Sequence, residues 1–466
     1  MKSLLRNLRI ILVVFSVIAV SLLAGLVVQQ NRSRTHLQAA AGENKQALAG
    51  RYRAAGDVVS ADGVLLAHSA ADENRSYAED PVVAASFLQL VGDYTHNIAN
   101  TVESNYQGHL LGTDRGFLPQ LAFDVQGKGL EGDDVHLTLR ADLNKLALTE
   151  MGDMWGAVVM LNYKTGDLLA SVSNPTTVPD NVISYEDIPE GALFNRAFLG
   201  SYAPGSSYKY VTTAAWIQAG LYDADKTVTC TAATPLIQPD GVKEGREESH
   251  GDLNVYRAME VSCNHFFGQI SIDAGRGAML DTARSFQIGR PIAVDKLSAN
   301  GGAIEIPERD STLSWIGIGQ PVADSKLYLS PLQMAMMVGA VANDGVMQRP
   351  HVVSHFTGPT GKDYGARTVA PLATAVSSET AAILEDILLD TVAQGSASSA
   401  QVSGLEIAGK TGTAEVEGQD KDNALFVGYI KSEEYPYAIA VVCEDAGFGA
   451  GNAAPIAAAL FEAATQ

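Results

Sequence analysis

The chain has 466 residues, of which 46% are hydrophobic and 18% charged, a composition typical of a globular protein with two or three domains. Its net charge of −21 predicts a surface that repels nucleic acid. The three cysteines, Cys230, Cys263 and Cys443, are too few and too unevenly spaced for a disulfide framework, and the nine histidines include no HExxH pair. The sequence therefore predicts packed free thiols, no metal site and no cofactor.

The N-terminus carries an uncharged apolar run at residues 10–28. A helix of this length spans roughly 28 Å, about the thickness of a bilayer's hydrocarbon core. Basic residues before the run predict a cytoplasmic segment at 1–9 and an extracytoplasmic remainder, although Arg32 and Arg34 weaken the asymmetry. A cleaved signal peptide is the alternative, because residues 39–41 are alanines. The run is, however, longer than a signal's apolar region, and the alanines lie far beyond it.

Residues 29–131 are predicted to form a stalk and a small membrane-proximal domain. The stretch from 29 to 53 is polar and of helical composition. After it, apolar residues lie on both sides of Asp62 and Gly63, which is the pattern of a β-hairpin.

Residues 132–466 are predicted to be an α+β domain. Two apolar strands at 157–161 and 167–173 form a hairpin, and three more strands follow late in the chain, at 405–416, 424–430 and 437–443. Short connections make these neighbours antiparallel, and a stretch rich in helical patterns separates the two groups. The prediction is a five-stranded antiparallel sheet assembled from both ends of the domain, flanked by helices and carrying a helical subdomain.

A serine and a lysine lie three residues apart at the start of a helical segment. Pro204 and Gly205 precede them, so Ser206 is expected near a helix N-terminus, with Lys209 on the same face. A serine becomes a nucleophile only when a base takes its proton. A lysine is such a base only when burial or a second cation lowers its pKa, and Lys410 is the expected second cation.

Two further motifs strengthen this interpretation. The S-x-x-K pattern alone is weak, because a chain of this length contains about one or two by chance. Here Ser262-Cys263-Asn264 follows in a helical context, and Lys410-Thr411-Gly412-Thr413 lies on the first late strand. The three motifs in this order form the signature set of penicillin-binding proteins and serine β-lactamases.

Over nearly its whole length the chain resembles the class B penicillin-binding proteins, which are monofunctional transpeptidases. The matching phrases include LTLRADLNKLA, WGAVVMLNYKTGDLLASVSNP, NRAFLGSYAPGSSYK, SCNHFF and AGKTGTAEV. The resemblance implies the penicillin-binding transpeptidase fold, standing on a pedestal domain. The chain departs from the family pattern at Ala55, where an arginine is usual, and at Ser207 and Tyr208, where threonine and phenylalanine are frequent.

The resemblance also implies roles for the first two motifs. Ser206 would attack the carbonyl between the two terminal D-alanines of a stem peptide, with Lys209 as general base. Ser262 would relay the proton to the departing D-alanine. Asn264 would hold the donor peptide and orient Lys209.

The third motif is implied to bind the substrate. Lys410, helped by the hydroxyls of Thr411 or Thr413, would hold the terminal carboxylate and should therefore stay charged, whereas Lys209 must be neutral. Gly412 would let the strand edge approach the substrate. The backbone N–H groups of Ser206 and Thr413 would form the oxyanion hole.

Three other functions stay open at this point. A class A β-lactamase needs a glutamate in an E-x-x-L-N pattern to activate water, and the only similar string here begins with His250. A D,D-carboxypeptidase differs only in using water as acceptor. A non-catalytic penicillin sensor should carry a cytoplasmic signalling domain, for which the nine residues before the apolar run are too few.

Partners follow from the resemblance as well. Peptidoglycan stem peptides and lipid-linked glycan strands would be the substrates, and β-lactam antibiotics would be inhibitors. A polytopic membrane glycosyltransferase would bind the anchor helix and the pedestal. The chain would be a single-pass protein of the cell membrane.

Overall fold

The structure is a computed structural model of the chain. It describes residues 54–69, 75–116, 131–232, 234–237, 240–244, 249–416 and 420–466, the helix at 11–28, and single positions at 9, 52, 121, 123 and 125. Apart from such single positions, the predicted cytoplasmic segment 1–9 and the predicted stalk between 29 and 53 lie outside the described residues.

Five antiparallel strands form the central sheet, and they confirm the predicted sheet. They are β1 (Gly156–Asn162), β2 (Leu168–Asn174), β3 (Ile407–Ala414), β4 (Asn423–Ile430) and β5 (Tyr437–Cys443). Their order across the sheet is β3-β4-β5-β1-β2. Because β1 and β2 precede the long insert and β3 to β5 follow it, β3 becomes an edge strand. One side of its backbone is therefore free of strand partners within the sheet.

The central sheet is buried on both faces. Along β1, Val158 and Met160 belong to one hydrophobic core, whereas Ala157 and Val159 belong to the other. This alternation follows from the two-residue period of a strand. The first core includes the C-terminal helix Ala453–Ala464, and the second includes the helical insert. Because both faces of the sheet are apolar, its strands are continuous hydrophobic runs in the sequence.

The helical insert lies between β2 and β3, as predicted. Its helices are Pro179–Ser184, Arg196–Leu199, Lys209–Gln218, Val255–Glu260, Asn264–Ser285, Asp310–Gly317, Pro331–Ala342 and Ser378–Gln394, with 3₁₀ turns at Gly205–Tyr208 and Ser398–Ala400. Four two-stranded pairs accompany them: Val228–Cys230 with Gly251–Leu253, Ile292–Val294 with Leu297–Ala299, Ala303–Glu305 with Lys326–Tyr328, and Val346–Gln348 with Pro371–Thr374.

A second sheet has six strands. In spatial order its strands are Asp363–Tyr364, Val353–Thr357, Asp134–Leu137, Val58–Val59, Leu65–His68 and Ser76–Tyr77. The predicted hairpin around Gly63 is present in it, with Gly63 at a φ of 81°. Strands from both sides of residue 131 take part in this sheet, while the domain boundary at that residue stays a prediction. Four short helices share its hydrophobic core: Pro81–Ser86, Leu88–Val91, Val102–Asn105 and Gln107–Leu110. The helix Ala141–Met151 packs instead on β2 and on the C-terminal helix.

The N-terminal apolar run is helical over Ile11–Val28, with a mean hydropathy of 3.0. None of its residues is buried against the other residues that the structure describes. A helix of this length and composition can cross a bilayer, which fits a membrane-anchored protein.

Candidate active site

Ser206 lies in the 3₁₀ turn Gly205–Tyr208, directly before the helix Lys209–Gln218. The predicted position near a helix N-terminus is thus present, with the first turn tightened to 3₁₀ geometry. Ser206 is partly exposed, whereas Ser207, Tyr208 and Lys209 are buried. The turn therefore presents one hydroxyl to solvent and anchors the following residues in the core.

Strand β3 packs against this turn, backbone to backbone. Gly205 has a φ of +53°, and a Cβ there would lie 2.3 Å from the carbonyl oxygen of Thr413. A Cβ on Gly412 would lie 2.8 Å from the oxygen of Pro204. Glycine is needed at both positions because any side chain would separate the two segments. The neighbour of Gly412 in the structure is the turn that carries Ser206, and the close approach of the substrate expected at Gly412 stays a prediction.

Lys209 is fully buried and faces the second motif. Its Nζ donates to the carbonyl oxygen of Ser262 at 2.5 Å, to Ser262 Oγ at 3.1 Å and to Asn264 Oδ1 at 2.8 Å. None of the hydrogen bonds found for Lys209 reaches the Ser206 hydroxyl. The predicted contact between nucleophile and base is therefore replaced by contacts between the base and the second motif.

Ser262 lies on a tight turn between two helices. Its φ of 57° is in the left-handed region, which costs a non-glycine residue about 1–2 kcal/mol. The turn places Ser262 and Asn264 at the cleft and Cys263 in the core. A strained backbone persists only where surrounding contacts fix it. The contacts from Lys209 are part of that support.

Lys410 reaches the same serine from strand β3. Its Nζ donates to Ser262 Oγ at 3.0 Å, to Ser396 Oγ at 3.3 Å and to the carbonyl oxygen of Thr411 at 3.2 Å. The hydroxyl of Ser262 therefore lies between the two lysine ammonium groups. Thr411 is buried beside Lys410, and Thr413 is half-buried at the cleft.

Burial sets the protonation of both lysines. Desolvation lowers the pKa of Lys209 to about 8, although the nearby Glu244 and Cys263 act to raise it. Desolvation also lowers the pKa of Lys410 well below its usual value, and the charge of Lys209 lowers it further. The shift opposes the charge that a carboxylate-binding Lys410 needs, and the expectation that Lys410 stays charged remains a prediction.

Three contributors to this site were missed by sequence reasoning. Glu244 Oε1 accepts the backbone N–H groups of Asn264 at 2.6 Å and His265 at 3.0 Å, which anchors the helix behind the second motif. Asn264 Nδ2 donates to the carbonyl oxygen of Lys243 at 3.0 Å. The third contributor is Ser396, through its contact with Lys410. No motif or periodicity marks these positions, because each reaches the site through loop geometry.

The structure also places the thiols of Cys230 and Cys263 beside Glu244. Both cysteines are buried free thiols, as predicted. The prediction that Cys263 serves in packing did not include a polar partner, yet its Sγ lies 3.2 Å from Glu244 Oε1. With His250, these residues bring four donor atoms within 4.8 Å of one another. Thiolate, imidazole and carboxylate groups together suit a zinc ion.

Comparison with known proteins agrees with this geometry. The family model described as "Penicillin binding protein transpeptidase domain" matches residues 156–462. This range contains the central sheet, the helical insert and all three motifs. The chain therefore belongs to the penicillin-binding protein transpeptidase family.

Named relatives extend the match along the chain. The peptidoglycan D,D-transpeptidase PbpA of Mycolicibacterium smegmatis is 29% identical over 99% of this chain and 99% of its own length. The peptidoglycan D,D-transpeptidase MrdA of Acinetobacter baumannii is 26% identical, over 71% of this chain and 54% of its own length.

Solved structures share the fold. Penicillin-binding protein A of Mycobacterium tuberculosis, as its ceftriaxone acyl-enzyme, superposes with a TM-score of 0.80 at 26% identity, covering 90% of this chain and 100% of that one. The D,D-transpeptidase domain from Eggerthella lenta gives a TM-score of 0.75 at 27% identity, with 88% and 97% covered. The predicted class B penicillin-binding protein and its α+β fold are confirmed, and the chain is a transpeptidase.

Proposed function

We propose that the chain is a serine D-Ala-D-Ala transpeptidase that cross-links peptidoglycan stem peptides through an acyl-enzyme on Ser206. The observation that carries this proposal is the position of Ser262 Oγ, 3.1 Å from Lys209 Nζ and 3.0 Å from Lys410 Nζ. A hydroxyl between two buried amines can accept a proton from one side and donate a proton on the other. This is what a proton relay beside a serine nucleophile needs.

In the acylation step, Ser206 Oγ bonds to the carbonyl carbon of the penultimate D-alanine. The peptide C–N bond breaks, and the terminal D-alanine leaves as an amine. The hydroxyl proton goes to neutral Lys209 and returns through Ser262 Oγ to the departing nitrogen. In the second step the amine of another stem peptide attacks the ester carbon, and the C–O bond to Ser206 breaks as the new C–N bond forms. The proton lost by the amine passes to Ser206 Oγ, which restores the hydroxyl and completes the cross-link.

Lys410 and the hydroxyls of Thr411 or Thr413 are proposed to bind the terminal carboxylate of the donor. Desolvation lowers the pKa of Lys410 well below its usual value. A carboxylate placed within a few ångströms opposes that shift, because an opposite charge favours the protonated amine. Carboxylate binding should therefore favour the protonated form of this lysine.

The oxyanion is proposed to lie between the backbone N–H groups of Ser206 and Thr413. Strand β3 is an edge strand, and its Thr413 carbonyl lies so close to Gly205 that a Cβ there would be 2.3 Å away. The two segments that would supply the donors are thus held together by the packed backbone. One such donor is typically worth about 3 kcal/mol in the transition state.

The acceptor distinguishes this proposal from the alternatives. Water as acceptor would make the enzyme a D,D-carboxypeptidase or a β-lactamase. His250, which occupies the place of a class A glutamate in the sequence string, has its Nδ1 3.5 Å from Cys230 Sγ. This contact engages the histidine with a thiol rather than with the nucleophile. A non-catalytic sensor is disfavoured by the complete relay.

We also propose the membrane arrangement and the partners. Residues 1–9 would be cytoplasmic, 10–28 would cross the membrane, and 29–131 would form the stalk and pedestal beneath a catalytic domain at 132–466. The apolar helix Ile11–Val28 supports the anchor. Lipid-linked glycan strands would supply the stem peptides, and a polytopic glycosyltransferase would contact the anchor and pedestal.

Acylation by penicillin tests the proposal. Full-length protein in detergent is mixed with penicillin G, and its intact mass is followed over time. We expect the mass to rise by one antibiotic and to stay raised for many minutes, whereas Ser206→Ala should gain no adduct. Shedding of the adduct within seconds would instead indicate a β-lactamase. A thioester donor with a D-amino acid acceptor then separates amide formation from hydrolysis.

A further inference from the structure

The side chain of Gln320 closes the edge of strand β3 at one position. Its Oε1 accepts the backbone N–H of Glu415 at 3.3 Å, and its Nε2 donates to the carbonyl oxygen of Glu415 at 3.0 Å. A primary amide presents an acceptor and a donor side by side, as the backbone of a neighbouring strand does. Gln320 therefore pairs with Glu415 as a residue of an added antiparallel strand would.

The same edge of β3 is open two residues earlier. In an antiparallel sheet, every second residue of an edge strand points its N–H and C=O away from the neighbouring strand. Glu415 points these groups toward Gln320, so Thr413 points its own groups to the same side. The Thr413 carbonyl accordingly faces Gly205. Among the described residues, no segment outside the sheet forms a hydrogen bond with the N–H or C=O of Thr413.

Backbone contacts hold the loop of Gln320 in place beside the turn that carries Ser206. The carbonyl oxygen of Gly319 accepts the N–H of Gly205 at 3.0 Å, and a Cβ on Gly319 would lie 2.0 Å from the Gly205 oxygen. The N–H of Gln320 donates to the carbonyl oxygen of Trp315 at 3.1 Å. Because the loop is fixed on both sides, the amide of Gln320 is held against the strand edge.

The proposed mechanism sets the direction in which a donor peptide lies on β3. The terminal carboxylate of the donor lies at Lys410 and its scissile carbonyl at the N–H of Thr413, so the donor runs antiparallel to β3. The penultimate D-alanine then forms a hydrogen-bonded pair with Thr413. The donor residue two positions upstream comes opposite Glu415, because such pairs recur every second residue along both strands.

We propose that Gln320 limits strand addition by the donor to the single residue pair at Thr413. This inference rests on the proposed function. Because Gln320 already occupies the N–H and C=O of Glu415, the upstream part of the donor leaves β3 at this point. A cleft of about 840 Å³ opens there, and its lining includes Ala203, Gln320, Glu415, Asn423 and Glu444.

Gln320 is thus a specificity-determining residue that contacts the strand and none of the reacting atoms. Main-chain hydrogen bonds supply affinity when a peptide adds to a sheet edge. A donor longer than the pair at Thr413 therefore gains no main-chain bond at Glu415.

Ester replacement of single donor amides tests the pairing in the wild-type protein. The donor is an N-acetyl-Gly-Gly-D-alanine thioester with a carboxylate on its leaving group, mixed with full-length protein in detergent. An ester oxygen in place of the D-alanine N–H removes the bond to the Thr413 carbonyl and should slow acylation of Ser206 by about 2–10-fold. An ester oxygen in place of the first glycine N–H should leave the rate unchanged, because Gln320 occupies Glu415.

Two variants open the position at Glu415. Gln320→Ala removes both hydrogen bonds, and Gln320→Glu keeps the size of the side chain but cannot donate to the Glu415 carbonyl. In either variant, the ester at the first glycine should now slow acylation by about 2–10-fold relative to the amide. Gln401→Ala is the matched control and should behave as wild type, because Nε2 of Gln401 also donates to backbone carbonyls, those of Val392 and Ala393.

A wild-type rate that falls with the ester at the first glycine would overturn the inference, because the donor would then reach Glu415 past Gln320. An equal loss of rate with the amide and both ester donors in the folded Gln320 variants would overturn it as well, since that is the result of mere support for the strand. Absence of acylation by all three thioesters, or acylation that persists in Ser206→Ala, would instead contradict the proposed function.

Discussion

The two walls of the active site are held by different physical means. Strand β3 carries the third motif and is paired with β4 over its whole length, from Ile407 with Ile430 to Ala414 with Asn423. The opposite wall is a single turn at Ser262, strained in its backbone and supported by side chains of Lys209 and Glu244. A sheet edge fixes its groups through many equivalent hydrogen bonds. A strained turn is fixed only while a few individual contacts persist.

We expect the strand and the turn to serve different steps of the reaction. In the proposed mechanism, the strand supplies charge and backbone donors for binding, and the turn supplies the hydroxyl that relays protons. Changes at the turn and its base should therefore act mainly on the rate of acylation. Changes at the strand should act mainly on which donors are accepted.

Removing the base gives the largest expected effect. Lys209→Ala should slow acylation by about 10²–10⁴-fold for every donor, with or without a carboxylate, because a general base contributes about this much. Stopped-flow acylation with a thioester donor and with its carboxylate-blocked analogue measures the effect. A tenfold or smaller loss on both donors would contradict the role of Lys209 as base.

Lys410→Ala should act selectively. A carboxylate donor should lose roughly 2–5 kcal/mol of transition-state binding, while an esterified donor should lose less, because it makes no ion pair. Some uniform loss is expected as well, because Lys410 Nζ also donates to the Ser262 hydroxyl that is proposed to relay the proton. An equal loss of acylation rate with both donors would contradict the proposal that Lys209 and Lys410 have different roles.

The contact between nucleophile turn and strand can be broken with one methyl group. Gly205→Ala would place a Cβ 2.3 Å from the Thr413 oxygen, so the turn and β3 must separate, and we expect acylation to fall by about 10–100-fold. Gly220→Ala is the matched control: its φ is +72°, but no atom lies within 4 Å of the new Cβ. Both variants should lose about 1–2 kcal/mol of stability from left-handed strain. Only Gly205→Ala should lose acylation rate, and equal rates in the two variants would contradict the packing argument.

The dependence of the acylation rate on pH should follow the protonation of Lys209. Desolvation lowers the pKa of Lys209 to about 8, and the reactive form is the neutral amine. The acylation rate of a carboxylate-free donor should therefore rise about tenfold between roughly pH 7 and pH 9 and then level off. Carboxylate donors should show KM rising with pH, because binding requires a protonated Lys410. A flat profile for the carboxylate-free donor would show that Lys209 is not the titrating base.

The smallest effect is expected at Ser396. Its Oγ accepts from Lys410 Nζ at 3.3 Å, and losing one such hydrogen bond costs about 0.5–1.5 kcal/mol. Ser396→Ala should reduce acylation by carboxylate donors by about 2–10-fold. Ser399→Ala is the control, because that hydroxyl donates to the carbonyl oxygen of Ala450 instead. Equal rates in the two variants would mean that Ser396 does not support Lys410.

The sequence by itself determined the central sheet, the order of the motifs and the apolar N-terminal helix. Two-residue and 3.6-residue periodicities are local properties, so strands such as β4 and helices such as Lys209–Gln218 are readable from a single chain. The resemblance to class B penicillin-binding proteins rests on short phrases around Ser206, Ser262 and Lys410, and the family match confirmed it.

Only the tertiary structure decided what surrounds those residues. The burial that depresses the pKa of both lysines depends on packing between the insert and the sheet. Glu244 and Ser396 reach the site from loops whose paths no periodicity encodes. The donor atoms of Cys230, Glu244, His250 and Cys263 also meet only in the folded chain, because these residues are irregularly spaced in the sequence. Their meeting requires the short strand pair to fold back onto the Ser262 turn, and long-range contacts of this kind are specified by the whole fold.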